Sequence, residues 1–295
     1  MGKAMTMGDR ENDARAAMAA DLALRFGEAV PVPPAGAGGL DPAALATLAR
    51  IAGRSSNRRY LDRPVPPDLL RLLLAVALSA PSKSDLQQAD IVVVSDPAKR
   101  AAIEGWLPEN LWVKSAPVLL VFCANNARQR AIHDLRGHPY ANDHLDPFFN
   151  ATLDTGIVLS AFIIAAEAAG LATCPISAIR DEAEKVSDLL GLPPHVFPVA
   201  GLGVGWPDSK APISPRLPLS LTVHENTHAG ADVAAGIAAY DSYREGVRPF
   251  PKQRDVARFG EVHPYGWSED KARQYASPQR PGFGAFVRAR GFRLE

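Results

Sequence analysis

Residues 199–218 read Val199-Ala200-Gly201-Leu202-Gly203-Val204-Gly205-Trp206-Pro207-Asp208-Ser209-Lys210-Ala211-Pro212-Ile213-Ser214-Pro215-Arg216-Leu217-Pro218. The first seven form an apolar run that Trp206-Pro207 brings to a stop, which predicts a buried strand. Gly201, Gly203 and Gly205 lie inside that strand pattern and not in a turn after it. They therefore do not make the Gly-x-Gly-x-x-Gly signature of a Rossmann nicotinamide domain. Arg216 follows, held between Pro215 and Pro218. Rigid flanks fix the direction of such an arginine, although taken alone it reads as a surface residue.

Working outward, Ile91-Val92-Val93-Val94 and Pro117-Val118-Leu119-Leu120-Val121-Phe122-Cys123 are further apolar runs bounded by polar residues, and predict two more strands. The spacing predicts an Ala-rich helix over 13–28 and a second helix from Pro42 to Ala52. A third, from Pro67 to Ser79, carries Leu69, Leu70, Leu72, Leu73, Val76 and Ala77 on an apolar face. A long helix is expected over 148–169, and a shorter one over 181–190 closed by Gly191 and Pro193. Val30 to Gly39, rich in proline and glycine, breaks regular structure and separates an N-terminal arm, 1–40, from a core, 41–228. In the C-terminal segment, 229–295, residues 229–243 read as helical and 246–265 as a Pro- and Arg-rich surface excursion. Strands separated by long helices point to α+β or α/β architecture, with a sheet covered on both faces.

A 295-residue chain that is 47% hydrophobic can bury a packed core. Its 32 basic and 32 acidic residues cancel, which leaves no field suited to nucleic acid or to an anionic membrane. Phe148 to Gly170 comes nearest to a membrane span, but Asp154 and Glu167 interrupt it, so it reads as a buried helix. Cys123 and Cys174 are too few for a disulfide framework or a zinc site, and suit a reducing, cytoplasmic home. Met1 to Arg15 lacks the apolar core of a secretory signal, so export is not expected. His133, His138 and His144 crowd a loop with Asp134, Asp143 and Asp146 without a known ligand spacing, and no metal is expected.

Beside Arg216, three clusters could carry chemistry. Arg54-Ser55-Ser56-Asn57-Arg58-Arg59-Tyr60 sets two hydroxyls among three guanidinium groups. Such groups donate bidentate and short bonds to phosphate oxygens; a solvated basic turn is the other reading. Ala80-Pro81-Ser82-Lys83-Ser84-Asp85-Leu86-Gln87 is a polar loop between helix and strand, placed where ligand contacts often sit or simply a helix stop. Pro175-Ile176-Ser177-Ala178 precedes a helix, and its small residues either let backbone N–H groups approach a planar ligand or form an ordinary crossover.

Taken in order, these clusters resemble the FMN-binding signature of the nitroreductase family, in particular its larger NADPH-dependent branch of oxygen-insensitive nitroreductases and flavin reductases. The resemblance runs from Arg54 to Asn226, and is most specific where Gly-x-Gly-Trp-Pro, Pro-Arg-Leu-Pro and Val223-His224-Glu225-Asn226 follow one another. It implies an α+β fold with a central, mostly antiparallel sheet flanked by helices, in a domain-swapped homodimer whose tail, 229–295, wraps the partner. It also implies FMN as cofactor, NADPH or NADH as donor, and ping-pong two-electron hydride transfer to a small aromatic acceptor, nitroaromatic or quinone-like. By the same resemblance Arg54, Ser55, Ser56, Arg58 and Arg216 hold the FMN phosphate and ribityl chain. Pro81, Ser82, Lys83, Ser84 and Gln87 line the ring system, Asn110 meets its pyrimidine edge, and Pro175, Ile176, Ser177 and Ala178 present backbone to it. Asp85, Phe148 and Phe149 border the acceptor. One or more of Arg244, Arg248, Lys252, Arg254 and Arg258 meets the donor's 2′-phosphate, with Arg248 and Arg254 put forward. No side chain is expected to act as a nucleophile.

The sequence departs from the family pattern at Ser214, where a lysine is usual, at Asp85 and Ala89, and in residues 1–40, which exceed the usual start. A flavin or quinone reductase with incidental nitroreductase activity, and a flavin-binding sensor without turnover, are the competing functions.

Overall fold

The computed structural model describes residues 7–33, 39–228, 230 and 232–295. The linker expected at 34–38 and the helix start expected at Ala229 lie outside the described residues. The chain divides into two compact units, one made of Met1–Ser55 with Pro212–Gln279 and the other of Ser56–Ala211 with Arg280–Glu295.

The second unit is built on four strands, β1 (Ala89–Val93), β2 (Val118–Asn125), β3 (Ala172–Ile176) and β4 (Val196–Gly205), in the order β1-β2-β4-β3. Every pairing is antiparallel, which makes the architecture α+β. The strand expected at 199–205 is the C-terminal part of β4. β3 was not expected, because Ala172-Thr173-Cys174-Pro175 has neither a strong apolar run nor clean alternation. Its place at the sheet edge tolerates Pro175, which has no N–H to give to a ladder. Pro198 is accommodated beyond the end of the β3 ladder, beside a register shift between Phe122 and Cys123 of β2.

β2 is apolar from Val118 to Ala124 because both its faces are buried. Leu120 and Phe122 pack with Leu202 and Val204 against α3 (Pro67–Leu78) and α6 (Leu145–Ala168), meeting Leu73, Ala77, Val158, Phe162 and Ala166. Leu119, Val121 and Cys123 point the other way, to Ile103 of α4 (Pro97–Gly105) and Val186 of α7 (Ala183–Leu190). α4 was missed in the sequence despite its start signals, Asp96 capping the Lys99 N–H and Pro97 in the first turn. The polar α5 (Ala127–Arg136) carries no apolar stripe, and its one clear signal is Gly137 at φ 66°. Gly191 closes α7 in the left-handed conformation, as its position suggested. The last stretch of the chain, with α12 (Phe283–Ala289), adds an aromatic cluster in which Phe148 and Phe292 pack against Phe197.

α6 is long and apolar enough to cross a membrane by length and composition. Its buried side belongs to the core just described, and it carries a second, exposed row of Phe149, Leu153, Gly156, Ser160 and Ile164.

The first unit joins α1 (Met7–Phe26) to α2 (Pro42–Ala52) through Met18, Leu22, Leu45 and Ala52. Asp41 caps α2 by accepting from the Ala43 and Ala44 N–H groups. The same unit holds α8 (Leu219–Thr222), α9 (Val233–Val247), α10 (Val256–Phe259) and α11 (Trp267–Tyr275). Compactness therefore places the arm's helix with the excursion and returns residues 280–295 to the sheet.

Gly205 is tied to this packing. A Cβ there would stand 2.4 Å from Pro117 Cδ and 3.0 Å from Tyr60 Cδ1. A proline ring cannot swing aside, so Gly205→Ala is expected to lower stability by about 1–3 kcal/mol, read as a shift of the urea midpoint.

Candidate functional site

In the sheet unit, Ser56 to Leu61 is pinned along the strand ends. The Asn57 N–H donates to Thr173 O at 3.0 Å, and its side chain, 5% exposed, donates to Ser209 O and accepts from the Arg59 N–H. The Tyr60 hydroxyl donates to Asn57 O at 2.8 Å and Gly203 O at 3.2 Å. Burial raises its pKa far above the usual phenol value, so it remains a donor. Leu61 N–H closes the segment on Trp206 O. Arg58, between these anchors, lies over the Trp112 ring, 5.8 Å from its centroid. The indole N–H of Trp112 in turn donates to Asn110 Oδ1 at 3.3 Å. Arg58 and Asn110 thus meet the same indole.

The Pro81–Gln87 loop is held in an unusual backbone. Ser84, Asp85 and Gln87 have φ of 51°, 57° and 51°, the left-handed region that residues with a Cβ rarely adopt. Asp154, 1% exposed on the core side of α6, supports it by accepting from the Lys83 N–H at 3.0 Å and from Gln88 Nε2 at 3.3 Å. Within the loop the Gln87 N–H donates to Ser82 Oγ, and Gln87 Nε2 to Asp85 Oδ1. From α5, Gln129 Nε2 donates to Leu86 O and the Arg128 guanidinium to Gln87 O. Strain of this kind clusters at ligand sites, where the surroundings over-determine it.

Pro175 and Ile176 end β3 on the ladder with β4, and Ser177 and Ala178 open a short 3-10 turn. Ser177 is exposed and Ala178 half-buried, so the backbone of the turn lies near the surface. Phe149 is exposed, as an acceptor contact requires. Phe148 is instead stacked on Phe197, centroids 5.3 Å apart, and sits edge-on to Phe292. Its ring is half-buried against that aromatic cluster.

In the other unit, Arg54 and Arg216 are set by a residue the sequence reading missed. Arg25, 8% exposed at the end of α1, donates to Ala52 O at 2.7 Å, Arg54 O at 2.7 Å and Ser214 O at 3.2 Å. Its own carbonyl accepts from the Arg216 N–H at 2.6 Å. Arg216, Arg244 and Lys271 line a cavity of about 610 Å³ with Phe26, Tyr240, Phe250 and Trp267. Arg244 lies 4.6 Å over the Phe250 ring, and its buried Nε has no hydrogen-bond partner among the described residues.

Arg248 and Arg254 each have protein partners in this unit. Arg248 donates to Ser214 Oγ at 2.6 Å and Pro212 O at 3.1 Å. Arg254 pairs with Asp270 at 3.3 Å. Burial raises the Asp270 pKa, and hydrogen bonds from Lys271, Tyr265 and Arg254 outweigh it, leaving the carboxyl below its usual value. Among the described residues no group of three or more His, Cys, Asp or Glu could hold a metal ion.

Three comparisons with known proteins set this chain in context. Residues 51–206 match the model of the Nitroreductase family, and residues 214–295 that of the Nitroreductase family, C-terminal domain. The NAD(P)H FMN reductase of Bacillus subtilis is 31% identical over 248 residues, 83% of this chain and 97% of the relative. An NADPH-flavin oxidoreductase of Vibrio harveyi is 27% identical over 246 residues, with the same coverage of each chain. Among solved structures, Bacillus megaterium NfrA2 superposes with a TM-score of 0.76 at 30% identity, over 84% of this chain and 98% of its own.

The loop's dependence on Asp154 is open to test. Asp154→Ala leaves the Lys83 N–H and the Gln88 amide without an acceptor, and is expected to cost about 2–4 kcal/mol. Asp154→Asn, which keeps one carbonyl oxygen, is expected to cost about half as much, both read by chemical denaturation.

Proposed function

We propose, for a chain that belongs to the nitroreductase family, FMN-dependent oxidation of NAD(P)H coupled to reduction of a nitroaromatic or quinone-like acceptor. The observation that carries this reading is the Ser82–Gln88 loop, left-handed at three non-glycine residues and held from beneath by a buried carboxylate. A backbone held there against its preference fits the close approach of a planar ligand. Bound FMN would supply two-electron transfer between donor and acceptor.

The residues divide the remaining work. Arg54, Ser55, Ser56, Arg58 and Arg216 are a donor set suited to a phosphate and the hydroxylated chain that bears it. Pro81 to Ser84 and Gln87 would line the ring. Arg58 and Asn110, which share contact with Trp112, would place positive charge and an amide at its polar edge, where negative charge is stabilised on reduction. Pro175 to Ala178 would present backbone. Asp85 and Phe149 would border the acceptor, Phe149 being the more exposed of the two adjacent phenylalanines.

For the donor's 2′-phosphate we favour Arg244 over Arg248 and Arg254. Arg244 lines a cavity shared with two other cations and four aromatic rings, and its Nε has no hydrogen-bond partner among the described residues. Segments 41–228 and 229–295 serve as cofactor core and tail in this proposal. The chain acts as a domain-swapped homodimer, for which the exposed row on α6 offers an apolar surface. A reducing, cytoplasmic location accords with its two buried free cysteines.

The Bacillus subtilis relative's name, an FMN reductase, favours a second reading in which free flavin or a quinone is the acceptor. Catalytic efficiencies on free FMN, menadione and a nitrobenzoate separate the two.

Initial rates at several fixed acceptor concentrations are expected to give parallel double-reciprocal lines, from one pocket used in turn; converging lines contradict that. Arg244→Ala is expected to raise KM for NADPH about tenfold while leaving KM for NADH unchanged, and light scattering to give twice the 31.5 kDa chain mass.

A further inference from the structure

Helix α1 precedes both family-matched segments, which begin at residue 51 and residue 214. It is nevertheless bonded to the turns that carry Arg54 and Arg216. The Arg25 guanidinium reaches three carbonyls on two separate stretches, Ala52 and Arg54 on one and Ser214 on the other. A planar fork with five N–H donors can span such a set, and a lysine ammonium cannot. The chain direction is also fixed from the helix end, because the Arg25 carbonyl takes the Arg216 N–H.

Neighbouring contacts lock the same corner. Tyr243 Oη donates to Leu24 O at 2.7 Å, and the Leu219 N–H donates to Glu28 Oε1 at 2.9 Å. Gly27 stands at φ 72° with the Tyr243 ring so close that a Cβ would meet it at 3.1 Å. The cationic end of α1 lies where the helix dipole favours positive charge. Phe26 completes the corner as a wall of the cavity that Arg216 lines.

We infer that α1 is a built part of the phosphate-binding machinery, with Arg25 the positioning residue that sets the Arg54 turn against the Arg216 turn for a phosphate-bearing flavin. The inference rests on the reading of Arg54, Ser55 and Arg216 as phosphate ligands. The Arg25 guanidinium bonds to Ala52, Arg54 and Ser214 all end on backbone carbonyls, so it acts through the two turns it spaces. A ligand without the phosphate gains nothing from that spacing.

The test compares FMN with riboflavin, which lacks the phosphate, by quenching of flavin fluorescence on titration with the full-length apoprotein. Arg25→Lys keeps the charge and loses the fork. It is expected to weaken FMN about tenfold or more, the loss of one to two charge-assisted bonds' worth of positioning, with riboflavin affinity unchanged. An unchanged preference for FMN over riboflavin, or equal weakening of both, overturns the inference. Arg216→Ala is measured beside it: if that variant keeps the full preference for FMN, the phosphate reading itself fails. If it loses the preference while Arg25→Lys keeps it, only the role of Arg25 falls.

Should Arg25→Lys not fold, hydrogen exchange of the wild-type chain decides. FMN, and not riboflavin, is expected to slow exchange at Leu24 to Gly27 and at Arg216. Equal protection by both ligands, or none, overturns the inference.

Discussion

Close approach to the backbone of β4 is the constraint from which much of the sheet unit follows. A Cβ at Gly203 would stand 2.8 Å from the Trp112 ring and 3.2 Å from Ala116 Cβ. At Gly205 it would collide with Pro117. Because neither position has a side chain, Tyr60 can reach the Gly203 carbonyl and Trp112 can lie against the strand. Trp112 then stands under Arg58 and beside Asn110. The arrangement of Arg58, Trp112 and Asn110 is a consequence of bare backbone in the sheet.

A second support comes from the opposite kind of residue, a charge placed where charge is costly. Asp154 is buried in an apolar helix, and a buried carboxylate is tolerated only when its oxygens are used. They bond the loop that follows α3, so the helix that fills the core also shapes that strained loop. Thr173 and Glu167 repeat the pattern nearby, with the Thr173 hydroxyl donating to Glu167 Oε1 at 2.7 Å.

Much of this was legible in the chain. Apolar runs of strand length marked β1, β2 and β4, and proline and glycine marked the ends of α2, α3 and α7 closely. β3 was hidden because an edge strand with alanine, threonine and proline shows no periodicity, and α5 because its exposed face leaves no stripe. The polar clusters were found because their residue types suit phosphate and planar ligands. Their supports were not, since Asn57 and Arg25 act through backbone carbonyls that no side-chain pattern announces. Asp154 was visible as an interruption in an apolar run, and only the fold gave it a task. Phe148 and Phe149 are adjacent in sequence and differ in exposure, the first half-buried and the second exposed, a distinction that depends on the helix's rotation against the sheet.

The central claim is that these supports exist to hold a redox-active flavin. The purified protein's visible spectrum, recorded before and after NADPH is added without oxygen, tests it most directly. The account predicts flavin absorption bands close to one equivalent per chain, bleached rapidly by the donor. A colourless protein that takes up no added FMN would contradict it.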